Sequence, residues 1–166
     1  MNKHRPEILI PMLRKAAILR RQMNKAGLSD NRGAIHCAER IINILGLELK
    51  YPGLRHINNL RNYWRAYASD EAYRRLKTKK KNMRVEVEHV APLRDLTRKI
   101  MEQIESGATN GEIEAFVRRH YKLVLLSKKE RRALDTKNRS TMHPRRLSLA
   151  GIKLRSIRDL FSKQSL

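Results

Sequence analysis

Cysteine is almost missing from this chain: one residue, Cys37, in 166. A single thiol excludes an internal disulfide and any zinc site built on cysteine ligands. Aromatic residues make up only 5%, so a core has to rest on Leu, Ile, Val, Ala and Met. No apolar run is long enough to insert into a bilayer. The Ile-Leu-Ile-Pro-Met-Leu stretch behind the basic N-terminus is short and broken by Pro11 and Arg14, which reads as neither a signal peptide nor a membrane span. Acids are scarce as well: 16 Asp plus Glu stand against 38 Lys plus Arg, for a formal net charge of +22.

That imbalance speaks about partners rather than fold. A small, strongly basic protein releases counterions when it meets a phosphate backbone, which gives salt-sensitive and largely sequence-independent affinity. Nucleic acid is therefore the expected partner, DNA before RNA, and no membrane association is expected. Cys37 lies in an Ala-Ile-His-Cys-Ala-Glu-Arg-Ile-Ile pattern and reads as a small buried hydrophobe. A lone reduced thiol suits a cytoplasmic location.

Apolar spacing predicts a helix over 7–26, closed by Gly27 as C-cap. A second helix, about 31–45, opens at Ser29-Asp30-Asn31 and ends at Gly46. Its stripe of Ala34, Ile35, Ala38, Ile41, Ile42 and Leu45 would serve a partner chain as easily as the core, so a homodimer is open. Tyr51-Pro52-Gly53 signals a turn. A third helix is expected over about 54–80, with a break at Ser69-Asp70, ending in the Lys77-to-Lys81 cluster. On that helix Tyr63, Trp64, Tyr67 and Tyr73 read as core or interhelix packing, although their rings are of the kind that stack on bases.

Residues 85–90, Val-Glu-Val-Glu-His-Val, alternate with period two and form a strand stopped by Pro92. Helices follow over 93–105 and 111–120, then a second strand over 122–126. Ser127-Lys128-Lys129-Glu130 fits a capping box opening a helix to about Leu134. A polar loop runs from Asp135 to Pro144, and a basic amphipathic helix covers 147–162. The fold class is mainly α with a small two-stranded β element. Its parts are a basic helical region (1–82), a ββα-metal-like unit with a helical insertion (83–146) and a basic C-terminal helix (147–166).

Glu88-His89 at a strand end is the notable pair, because metal-dependent nucleases set a metal ligand beside a general base in this way. The segments Glu88-His89-Val90-Ala91-Pro92, then 122–134, then Asn138-Arg139-Ser140-Thr141-Met142, all in the second half of this chain, resemble HNH or His-Me finger endonucleases of phage or bacterial type. The resemblance covers about 85–144. It implies that His89 takes a proton from the attacking water and that Glu88 binds a divalent metal, Mg²⁺ first, beside the leaving oxygen. The second metal ligand of that family would align with Arg131, and a guanidinium cannot ligate a cation; Glu130 and Asp135 are the nearest carboxylates. Taken as residues alone, Glu130 reads as the capping-box acid and Asp135 as a helix end. Glu88 and His89 are adjacent in a strand, so they point to opposite faces unless a bulge or strand end turns them together.

Arg139 would steady the scissile phosphate. Arg20, Arg21, Lys25, Lys77, Lys79, Lys80, Lys81, Arg131, Arg145 and Arg146 are the expected backbone-gripping cations. The leading expectation is a metal-dependent endonuclease that hydrolyses phosphodiester bonds. The alternatives are a non-catalytic basic DNA- or RNA-binding protein, or an adaptor that binds other proteins by charge.

Overall fold

The computed structural model describes residues 5–29, 33–78 and 84–161. The fold is mainly helical with a small mixed sheet. Two compact units divide the chain, residues 1–53 with 93–121 and residues 54–92 with 122–166. These boundaries differ from the division expected at 82/83. The segment 93–121, expected as an insertion in the strand-bearing unit, belongs with the N-terminal helices.

Among the described residues the first unit has four helices: α1 (Arg5–Lys25), α2 (Ala34–Lys50), α4 (Leu93–Glu105) and α5 (Asn110–His120). Gly27 closes α1 as expected, and the first two residues of the helix opening expected at Asp30-Asn31 lie outside the described residues. The stripe Ala34, Ile35, Ala38, Ile41, Ile42 and Leu45 is buried, packed with Leu13, Leu96, Ile100, Ile113 and Val117 of the same unit. A dimer therefore cannot draw on that surface. Cys37 sits off the stripe and is exposed, not buried. Helix α2 does not stop at Gly46 but runs on to Lys50. Here glycine serves close approach rather than termination: a Cβ at Gly46 would lie 2.3 Å from Cγ of Tyr121. The Tyr121 ring is buried against it, and its hydroxyl donates to Asn43 Oδ1 at 2.9 Å.

The second unit departs further from expectation. Where one helix was predicted over 54–80 there are a 3₁₀ turn (Ile57–Asn62), a strand β1 (Tyr67–Ser69) and a helix α3 (Asp70–Thr78). The expected break at Ser69-Asp70 is the start of α3. Strands β2 (Val85–His89) and β3 (Leu123–Ser127) fall where predicted. Helix α6 (Lys128–Asn138) opens on the Ser127–Glu130 capping box, with both reciprocal hydrogen bonds made. The predicted C-terminal helix is limited to α7 (Arg146–Leu149), followed by strand β4 (Leu154–Ser156). Gly151 decides this. At φ +71° it is the left-handed residue of a closing turn in which Gly151 N–H donates to Ser148 O and Ile152 N–H to Leu147 O.

Among the described residues the sheet has four strands, not two, in the order β2-β3-β1-β4. β2 and β3 are antiparallel, β1 and β3 parallel, β1 and β4 antiparallel. One face buries Val124 and Leu126 against Leu134 and Ile152, with Val90, Leu147 and Leu154 around them. The sequence order strand β2, strand β3, helix α6, with α6 laid on the antiparallel pair, is a ββα arrangement.

Candidate functional site

β2 pairs with β3 in an unbroken register, from Val85↔Ser127 to Glu88↔Val124 and His89↔Leu123, and Val90 N–H still donates to Lys122 O at 2.9 Å. No bulge interrupts it. Alternation therefore sends Glu86 and Glu88 to the face carrying Val124 and Leu126, where α6 lies, and His89 to the other face. The expectation that the approach to Pro92 turns Glu88 and His89 into one site does not hold, because the ladder stays regular to its end.

The face that receives Glu88 is already supplied with cations. Arg146 Nη1 and Nη2 reach Glu88 Oε1, each at 3.3 Å, and Arg131 Nε lies 3.4 Å from Glu88 Oε2. Arg131 Nη1 also donates to Glu86 Oε2 at 2.8 Å. Both carboxylate oxygens of Glu88 thus face a guanidinium. Asp135, one turn beyond Arg131 on α6, is near enough to bias the charge of Glu88. Burial is the largest influence on Glu88 and raises its pKa; the two arginines oppose this and Asp135 adds to it. Arg131 is held more firmly protonated by its hydrogen bond to Glu86 and by the neighbouring acids.

Arg146 was expected to grip phosphate and does not: it is 1% exposed. Its Nε donates to Asn138 O at 2.9 Å and its Nη1 to His89 O at 2.7 Å and Val90 O at 3.3 Å. One buried guanidinium thereby joins the end of β2 to the end of α6. Arg131 is likewise occupied by strand acids, although 46% of its side chain stays exposed. Glu130 is the N3 acid of the capping box, accepting from Ser127 N–H at 2.9 Å and from the Ser69 hydroxyl. Its carboxylate is consumed by backbone and hydroxyl donors rather than presented beside Glu88. Among the described residues no group of three or more His, Cys, Asp or Glu is gathered in a way that could hold a metal ion.

The remaining expected cations are scattered. Arg21 and Lys25 are exposed on the last turns of α1, and Arg20 is half-buried with Nη1 4.0 Å from Met101 Sδ. Lys77 is exposed on α3 in the other unit, and Lys79, Lys80 and Lys81 lie outside the described residues. Arg139 and Arg145 are exposed at either end of the loop between α6 and α7. That loop is ordered by Asn138, whose Oδ1 accepts from Thr141 N–H at 3.0 Å, and by His143, whose Nδ1 accepts from Arg145 N–H at 3.1 Å.

A second constellation was hidden by the expectation of a helix through residues 54–80. Trp64 is 41% exposed and Tyr67 45% exposed. The β1/β4 ladder continues past its last strand pair, with Ile157 N–H donating to Ala66 O at 3.1 Å. Arg158 is thereby delivered beside Arg65 and Trp64. The Arg65 and Arg158 guanidinium carbons sit 4.4 and 5.1 Å from the centre of the Trp64 ring, and Lys122 Nζ is 5.2 Å from that of Tyr67. Three residues, Tyr67-Ala68-Ser69, are too few for the sequence to signal a strand. Comparison with protein-family models, with curated proteins and with solved structures finds no match to this chain.

Proposed function

We propose that this chain is a nucleic-acid-binding protein that holds the phosphate backbone by charge, DNA before RNA, and acts by binding. The observation that carries the reading is how the few acids are spent. Glu39, Glu71, Glu86, Glu88, Asp95 and Glu114 are in internal ion pairs, and Glu112 and Glu130 are in capping boxes. The formal charge of +22 is then left largely to exposed Lys and Arg. A surface of that sign attracts polyanions with strong salt dependence. Arg21, Lys25, Lys77, Arg139 and Arg145 are the cations chosen to carry contacts, and the protein is proposed to meet its partner in the cytoplasm. Binding of a labelled duplex followed by anisotropy should weaken about tenfold or more between low and moderate salt. A flat response would sink the reading.

A second reading, metal-dependent hydrolysis of phosphodiester bonds, is favoured by one observation, the ββα arrangement of β2, β3 and α6. In it His89 would activate water, Glu88 with Asp135 would hold Mg²⁺, and Arg139 would steady the phosphate. It requires Arg131 to leave Glu88 and His89 to work from across the strand. The donor set fits a metal poorly, because the positions around Glu88 are taken by guanidinium groups. Its mark is scission that needs a divalent cation and is lost in His89→Ala.

A further inference from the structure

Trp64 and Tyr67 stand out in a chain with so few aromatic residues. The only tryptophan of the protein is not in a core; it is left 41% exposed on the connection that leads into β1, and Tyr67, three residues on, is 45% exposed. Between them Ala66 is 1% exposed and Ala68, beyond Tyr67, is fully buried, so the backbone is anchored while both rings stay in reach of solvent. Three cations lie over these two rings, Arg65 and Arg158 over Trp64 and Lys122 over Tyr67, at the distances given above.

Exposed rings with planar or ammonium cations held over them form a surface that suits one kind of ligand. A guanidinium lies on an aromatic face because that face is accessible and negative. A nucleobase has the same flat shape, and its own phosphate can meet the cations that sit beside the ring. Duplex bases are stacked on each other and offer no free face; unpaired bases do. We infer that Trp64 and Tyr67, with Arg65, Arg158 and Lys122, form a stacking platform for the unpaired bases of single-stranded nucleic acid. This rests on the charge-driven binding proposed above and adds to it a strand state and a place, the end of the sheet where β1 and β3 begin and β4 ends. DNA and RNA single strands share the recognised chemistry.

The sole tryptophan makes the test direct. The full chain is titrated with oligothymidylate, oligouridylate, a duplex and inorganic polyphosphate. Binding is followed by competition against a labelled oligonucleotide, and Trp64 emission is read with excitation at the red edge. The expected result is that all four bind, while only the two single strands quench Trp64; the stronger of the two names the natural strand. Trp64→Ala should weaken single-strand binding by about fivefold to a hundredfold, the range for loss of one base–aromatic stack, with polyphosphate binding unchanged. Trp64→Phe should restore most of the loss, and Tyr67→Ala, which keeps the reporter, should weaken the same ligands if Trp64→Ala fails to fold. Single strands that bind with Trp64 emission and both alanine variants unchanged would overturn the platform and leave the charge reading standing. A chain that competes for none of the four would overturn the charge reading and the platform with it.

Discussion

Arg146 shows how far the role of one residue depends on where its neighbours place it. In the sequence it stands in a Pro-Arg-Arg run that looks like a phosphate-gripping loop; in the fold its guanidinium is buried and spans Glu88, two β2-end carbonyls and the carbonyl of Asn138. Removing one partner of a buried pair leaves the other charge uncompensated. Arg146→Met should therefore cost about 3–5 kcal/mol, whereas Arg139→Ala or Arg145→Ala should stay within about 0.5 kcal/mol. Urea unfolding of the three variants checks this, and equal small losses would show that Arg146 is not a strut. Glu88 is the complementary case. Its folded pKa is raised, chiefly by burial, so the native state holds that proton more tightly than the unfolded chain. Its ionisation then lowers stability as pH rises from the ordinary carboxylate range through the raised value. Glu88→Gln should fold, and should gain stability relative to the wild type as pH goes from acid to neutral. The opposite trend would mean that Arg131 and Arg146 together outweigh burial.

At the scale of elements, Gly46 and Tyr121 make one contact serve two elements. Glycine inside a helix normally costs about 1 kcal/mol relative to alanine, so propensity alone says that Gly46→Ala stabilises α2. The added Cβ would meet the buried Tyr121 ring at 2.3 Å, and overpacking of this kind costs about 1–3 kcal/mol. The variant should lose stability on thermal unfolding; a gain would mean that the ring moves aside freely. The same position marks a limit of sequence reading. Gly46 looks like a stop because its partner, Tyr121, is distant in the chain. Strands β2 and β3 and the Ser127–Glu130 cap were legible, since period-two alternation and a capping box are local signals. Strands β1 and β4 are three residues each, too short to show a period, and they exist because they pair with each other while β1 also pairs with β3. The local warning against the C-terminal helix was Gly151.

At the scale of the whole molecule, the same logic separates what the sequence could and could not say about function. The charge excess was visible from composition, and it carries the proposed function. The expected Glu88-His89 site rested on adjacency in the chain, which a regular strand converts into opposite faces. The aromatic and cationic edge around Trp64 was assembled by the β1/β4 ladder from residues more than ninety positions apart, beyond the reach of any local pattern. The proposed function has two consequences for the molecule as a whole: charge should supply the affinity for any polyanion, with stacking adding to it for unpaired bases alone, and neither should need a divalent cation. The most direct test incubates the wild-type chain with supercoiled plasmid in EDTA, in Mg²⁺ and in Mn²⁺ and separates the products by electrophoresis. The predicted result is retardation of intact plasmid in all three, released by salt, with no scission in any. Nicked or linear plasmid in the metal lanes alone, abolished by His89→Ala, would contradict it.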